Sequence, residues 1–223
     1  MERPRIRTGT AHGYVSVVGP SLFIPLLRLL EDLEVLKAST PNEVQAGARE
    51  NGLAAGVVIL TITVLESALH RARYVRRDRP GKPSARYLED ITRNHELAAN
   101  LEEAIVVRDA IIHNHIWRAL ITDYPDGCLR FFGRPRLRKG YGDTKFKRVR
   151  KRGTLFTRRL RLNVFPTRVC RDDARIVVKT VAAALRALEA RKREYFPIAD
   201  MTFEFRRTDL TFYQVADGLP GRA

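Results

Sequence analysis

LEEAIVVRDAIIHNHIWRAL, residues Leu101–Leu120, is the stretch whose reading decides the fold. Leu101, Ala104, Ile105, Ile111, Ile112, Ile116 and Ala119 recur at helical spacing and predict one amphipathic helix. Asn100 is the expected cap, with Glu103 at the third helical position. Arg108 and His115 are seven apart and share the apolar face, while Asp109 and His113 are four apart and are side-chain neighbours. A charge inside an apolar stripe needs a reason, since burying it unpaired costs several kcal/mol. One reason is structural: a core histidine bonded to a carbonyl, and an arginine in an ion pair. The other is chemical.

RNA supplies the chemistry that these residue types suit. A base takes the 2′-OH proton, an acid protonates the leaving 5′-oxygen, and a cation steadies charge on the phosphate. Histidine, with a pKa of about 6.5, moves protons near neutral pH. Arginine stays charged and can bond two phosphate oxygens at once. Arg108 and His113 fit those roles, Asp109 can orient His113, and His115 can be a second proton-transfer group or a phosphate contact.

The run RDAIIHNH at 108–115 resembles the R-x4-6-H motif of HEPN domains, small helical bundles that include metal-independent endoribonucleases of toxin–antitoxin and phage-defence systems. The x4 spacing selects His113 and the x6 spacing selects His115; where some members have H-x-Y, His115 stands in place of the Tyr. The resemblance covers about residues 20–120 and the later helix near 172–196. It implies a HEPN-like bundle acting as a homodimer, with two motif helices facing across a shared cleft. It also implies a cognate antitoxin or inhibitor as a partner. Family members often place an acid on the preceding helix, which makes Glu66 a supporting candidate; the alternative is a surface position.

Composition bounds the rest. The chain has 223 residues, 44% of them hydrophobic, enough for one domain with a sizeable core. Net charge is +16, which favours polyanions. Cys128 and Cys170 form no CxxC, so neither a structural zinc nor a disulfide framework is expected, and the chain reads as cytoplasmic. No metal and no other cofactor is expected. The apolar run Leu53–Leu65 falls short of the roughly 20 residues of a membrane span and reads as a core helix.

Taken in order, residues 1–19 read as a basic N-terminal arm and residues 20–216 as one domain, with 217–223 expected to be a disordered tail. Leu22, Leu26, Leu29, Leu30, Leu33 and Leu36 predict a helix to about Lys37. Thr40-Pro41-Asn42-Glu43 is a helix start, and the helix it opens can run to about Arg77, with Gly47, Gly52 and Gly56 as possible interruptions. Ser84 is expected to cap a short helix that runs to about Thr92, with Asn94 and His95 near its end, and Asp172 or Asp173 the last long one.

The stretch 128–168 is different in kind. It holds fifteen basic residues and one acid, Asp143, so nearly all of the net charge is local. Cys128–Phe132 and Thr154–Phe165 alternate like strands and predict a basic, β-hairpin-like insertion. Its expected RNA contacts are Arg134, Arg136, Arg138, Lys139, Lys145, Lys147, Arg148, Arg150, Lys151 and Arg152, with Tyr141, Phe146 and Phe156 able to stack on bases. So one-signed a run is expected to stay poorly ordered until a polyanion meets it. Met201–Phe205 and Leu210–Gln214 predict a short C-terminal β hairpin.

The fold class read from the sequence is therefore mainly α, and the function read from it is a metal-independent endoribonuclease leaving a 2′,3′-cyclic phosphate. The alternative is a non-catalytic module that binds RNA or a nucleotide. A DNA-binding regulator is a third reading, with no clear helix-turn-helix to carry it.

Overall fold

A computed structural model of the chain describes residues 18–37, 46–113, 117–123, 129–135 and 143–221. Among them, seven α-helices and two antiparallel two-stranded sheets make a mainly helical fold. The helices are α1 (Val18–Val35), α2 (Ala48–Arg76), α3 (Ser84–Thr92), α4 (His95–Ile112), α5 (Asp143–Val149), α6 (Arg171–Arg191) and α7 (Phe212–Gly218). The strands are β1 (Trp117–Asp123) with β2 (Leu129–Pro135), and β3 (Thr202–Phe205) with β4 (Thr208–Thr211). The N-terminal arm to residue 17 and the Thr40–Glu43 helix start lie outside the described residues.

Helix α2 is the centre of the bundle and packs against α1, α4 and α6. Val57, Val58, Ile62 and Leu65 are buried, as are Phe23, Leu26, Leu27, Leu30 and Leu33 of α1. Each such side chain contributes about 2 kcal/mol of transfer free energy. Gly47 is the N-cap at which α2 begins, whereas Gly52 and Gly56 lie inside the helix without interrupting it, and Gly56 lets α1 close on it. A Cβ at Gly56 would stand 2.9 Å from Leu29 Cδ1. By length and composition α2 is also apolar enough to cross a membrane, but half of its apolar window is buried inside the fold.

The central helix begins earlier and ends earlier than its periodicity predicts. Its cap is Asn94, whose side-chain oxygen accepts from Leu97 N at 2.9 Å, so Asn94 and His95 open α4 instead of closing α3. Asn100 and Glu103 are thereby freed for tertiary contacts. The helix stops at His113, and Trp117–Asp123 pairs as a strand with Leu129–Pro135, from Trp117↔Pro135 to Asp123↔Leu129. The run from Trp117 is rich in aromatic and β-branched residues, and pairing with β2 selects the strand. At the start of α3, Ser84 is the first helical residue and Pro83 the N-cap, with no side-chain cap bond.

The segment after 143 is not a hairpin. Lys147 and Arg148 belong to the short helix α5, and residues 150–165 run irregularly, with single bridges at Arg150↔Thr157 and Phe156↔Asn163. Arg161 takes a left-handed φ of 56°, which breaks the alternation expected of a strand. Nor is this half of the insertion loosely held. Phe146, Val149, Leu162, Val164 and Phe165 are buried in the core, so apolar residues spaced among the cations outweigh self-repulsion. Phe146 is 2% exposed and is not placed to stack on a base.

The capping residue of α6 is Cys170, not Asp172 or Asp173. Asp173 sits at the third helical position and accepts from Cys170 N at 3.0 Å, closing a capping box. Asp173 is fully buried and also takes Asn163 N and Nδ2 at 2.9 and 2.8 Å. Burial pushes its carboxyl above the usual range, against those hydrogen bonds.

At the C-terminus the β3–β4 hairpin is present, but the chain turns helical at Phe212. Thr211 and Gln214 form the capping box that starts α7. Residues from Asp217 belong in part to the folded body, since α7 runs to Gly218 and Leu219 is buried. Phe23 of α1 anchors this end, with ring centroids 5.0 Å from both Phe203 and Phe212.

Candidate functional site

Helix α4 carries its polar side chains at two levels. The upper level is Glu103, 2% exposed. Its Oε1 accepts from the backbone amides of Arg158 and Arg159 at 3.1 and 2.9 Å, and its Oε2 from Arg159 and Leu160 at 3.2 and 2.9 Å. Three consecutive amides thus hold one buried carboxylate. Beside it, Arg159 Nε donates to Asn100 Oδ1 at 2.8 Å and its Nη2 lies 3.2 Å from Glu96 Oε1. Arg148 of α5 pairs with Glu102. The polar face of α4 is the receptor on which the basic segment is seated.

The lower level is Arg108 and Asp109. Arg108 Nη2 donates to Glu66 Oε1 of α2 at 2.5 Å, and its Nε lies 3.3 Å from Asp109 Oδ1. That Nε is buried and makes no hydrogen bond. Asp109 Oδ2 accepts from Lys145 Nζ of α5 at 3.2 Å. The side chains of Arg108, Asp109, Glu66 and Lys145 are 18, 27, 29 and 31% exposed, so the cluster is half-buried and open to solvent on one side. It opens into a cleft of about 560 Å³ between α2, the start of α3, α4 and α5. Glu66, Arg108, Asp109, Lys145 and Arg148 all line it.

His113 is not in that cleft. It is the exposed residue just after α4, where its backbone N–H donates to Asp109 O at 2.9 Å. The Asp109 carboxylate faces Arg108 and Lys145, so a side-chain contact from Asp109 to His113 is not made. Ile112 beside it is 46% exposed. His115 lies outside the described residues.

The expected RNA contacts divide. Arg134 lies in β2, and Arg136, Arg138 and Lys139 are outside the described residues. Lys145 and Arg148 are ion-paired at the cleft. Arg150 is turned inward, with Nη1 donating to Thr154 O at 3.4 Å and its guanidinium over the Phe146 ring. Lys147, Lys151 and Arg152 are exposed, and their side chains have no hydrogen bond or ion pair among the described residues. Phe156 lies between the Arg161 and Arg168 guanidinium groups, 5.9 and 5.8 Å from them.

Sequence reasoning missed Glu102, Glu103 as an amide receptor, and Arg86 on the far rim of the cleft. A signal for Glu103 existed: an acid between Leu101 and Ala104 on a buried face. None marked Arg86. The chain matches no family model, no curated protein and no solved structure.

Proposed function

We propose that the protein is a metal-independent endoribonuclease with a HEPN-like helical bundle, and that it works as a homodimer in the cytoplasm as a toxin or phage-defence effector held by a cognate inhibitor. The observation that carries this reading is the Glu66–Arg108–Asp109 cluster in an open cleft, at the end of α4 and one turn before His113. In this mechanism Arg108 bonds the phosphate oxygens and steadies the charge that develops there. His113 moves the proton at the 2′-OH or at the leaving 5′-oxygen, and His115 serves the other position or the phosphate. Glu66 fixes the Arg108 fork, and Asp109 sets the edge of the guanidinium. An exposed His113 outside its own chain's cleft suits a site shared between protomers, where the imidazole of one copy reaches the arginine of the other.

The test is cleavage of single-stranded RNA by purified protein in EDTA, with the ends analysed for 2′,3′-cyclic phosphate. Arg108→Ala and His113→Ala each lose most activity and stay folded, and His115→Ala has the smaller effect. Recovery of activity on mixing the Arg108→Ala and His113→Ala proteins marks a shared site. A folded wild type that cuts no RNA pool, with growth inhibition unchanged in both variants, removes the enzyme reading.

The second reading is a non-catalytic module that binds RNA or a nucleotide. One observation favours it: Arg108 is already paired with Glu66, and the imidazole of His113 is not within the same cleft. In that case Arg108 is a structural cation and the basic segment is the functional part.

A further inference from the structure

Among the described residues, the charges lining the cleft do not balance. Its three acids are all engaged: Glu66 with Arg108, Glu102 with Arg148, and Asp109 with Arg108 and Lys145. The fourth cation, Arg86 on α3, is exposed, and its side chain has no hydrogen bond or ion pair among the described residues. It stands on the rim formed by α3, and Lys145 and Arg148 stand on the rim formed by α5. Lys147 on the same helix and, further along the chain, Lys151 and Arg152 also have side chains with no hydrogen bond or ion pair among the described residues.

We propose that this cleft is a phosphodiester-binding subsite for single-stranded RNA, with Arg86 and the α5 cations Lys145 and Arg148 gripping one phosphate from opposite rims. The inference rests on RNA being the ligand of the proposed function and adds where its backbone sits. A surplus guanidinium in a cleft selects an anion. A volume of about 560 Å³ is in the range of small-molecule sites and accommodates a nucleotide unit. Pro83 and Ile105 give the cleft apolar walls for a sugar or base. Unpaired cations continuing outward along the chain suit a polymer with one charge per unit better than a lone anion. Lys145 and Arg148 reach the phosphate by exchanging one anionic partner for another, at the end of long side chains.

The experiment measures binding of a fluorescein-labelled 2′-O-methyl oligouridine, which cannot be cut, to the full chain across a potassium chloride series. Arg86→Glu is compared with Arg49→Glu, an identical charge change at an exposed site about 25 Å away along α2 from Glu66. Arg86→Glu is expected to weaken binding about tenfold and to lower the salt slope by about one, and Arg86→Lys to keep most of the affinity. Arg49→Glu should change affinity less than threefold. Equal losses in Arg86→Glu and Arg49→Glu, or none in either, overturn the subsite. So does displacement of the oligonucleotide by ADP at equal concentration, which marks a mononucleotide site. Cleavage separates the two levels. If wild type cuts RNA and Arg86→Glu binds and cuts normally, this subsite is wrong and the enzyme stands. If binding depends on Arg86 and nothing is cut, the subsite stands and the enzyme reading fails.

Discussion

Glu103 and Asp109 sit on the same helix, less than two turns apart, and behave as opposites. Glu103 is buried, and both of its oxygens are occupied by backbone amides of residues 158–160. Asp109 is partly open to solvent and, among the described residues, its carboxylate meets the ends of long side chains, Arg108 and Lys145. A backbone donor cannot turn away, so the Glu103 end is a rivet between α4 and the basic segment. A lysine or arginine can exchange one anion for another, so the Asp109 end keeps capacity for a ligand. The difference teaches which polar group in an apolar stripe is structure and which is available for chemistry: the test is whether its partners are fixed.

The largest expected effect is at the open end. His113→Ala should lower cleavage about 10²- to 10⁴-fold, the range for removing a proton-transfer group. Its melting temperature should hold, because His113 is exposed and its side chain has no hydrogen bond or ion pair among the described residues. A matching fall in melting temperature would erase the contrast by making His113 structural. Next comes the rivet. Glu103→Ala leaves the Arg159 and Leu160 amides without their acceptor, while Arg158 N keeps Val149 O at 2.9 Å; each amide that stays dry costs about 1–3 kcal/mol. Urea titration should show a loss of about 2 kcal/mol or more, with faster hydrogen exchange at 159 and 160. Glu103→Gln, which keeps an acceptor, should lose less. A change under about 1 kcal/mol for Glu103→Ala would mean that water replaces the carboxylate and the segment is not riveted.

The smallest effect probes the far end of the same segment. Cys170, beside buried Asp173, has its thiol pushed up to about 12, first by burial and then by the Asp173 carboxylate. A raised pKa favours the neutral thiol, so little thiolate is present at pH 8. Any stability this group contributes is complete below the unfolded thiol value and lost only as pH rises through about 12. In a Cys128→Ser background, iodoacetamide should label the native protein slowly at pH 8 and quickly in urea. Fast native labelling would show that the Asp173 capping box opens, and with it the end of the basic segment.

Several features were legible from residue order. The leucine spacing of α1, the apolar run of α2 and the alternation of β3 each stand where their patterns put them, while β4 is Thr208–Thr211, shifted toward the turn from the Leu210–Gln214 run. The Glu66–Arg108 contact was named as one of two alternatives for Glu66. The limits of α4 were not legible, because Ile111, Ile112, Ile116 and Ala119 satisfy helical spacing while Trp117–Asp123 also satisfies a strand. Asn94 and Asn100 are both plausible caps in isolation. Strand pairing and the first-turn contact of Asn94 with Leu97 chose between them. In the basic segment, charge density hid the buried residues. Phe146, Val149, Leu162 and Val164 are scattered among cations at no single period, so neither the helix α5 nor the irregular run after it had a pattern to read.

By itself the sequence determined a mainly helical chain, a basic excess confined to 128–168, and the order Arg108, Asp109, His113 near the end of one helix. Local forces suffice for these: hydrophobic periodicity, capping and charge are carried by neighbours in the chain. Only the tertiary structure decided that Glu103 binds backbone 55 residues away, that α5 is the rim of a cleft, and that Arg86 is the cleft cation whose side chain has no partner among the described residues. Those outcomes depend on which distant groups meet. A carboxylate and a guanidinium look alike in sequence whether their partner is an amide, another side chain or solvent, and folding supplies the partner.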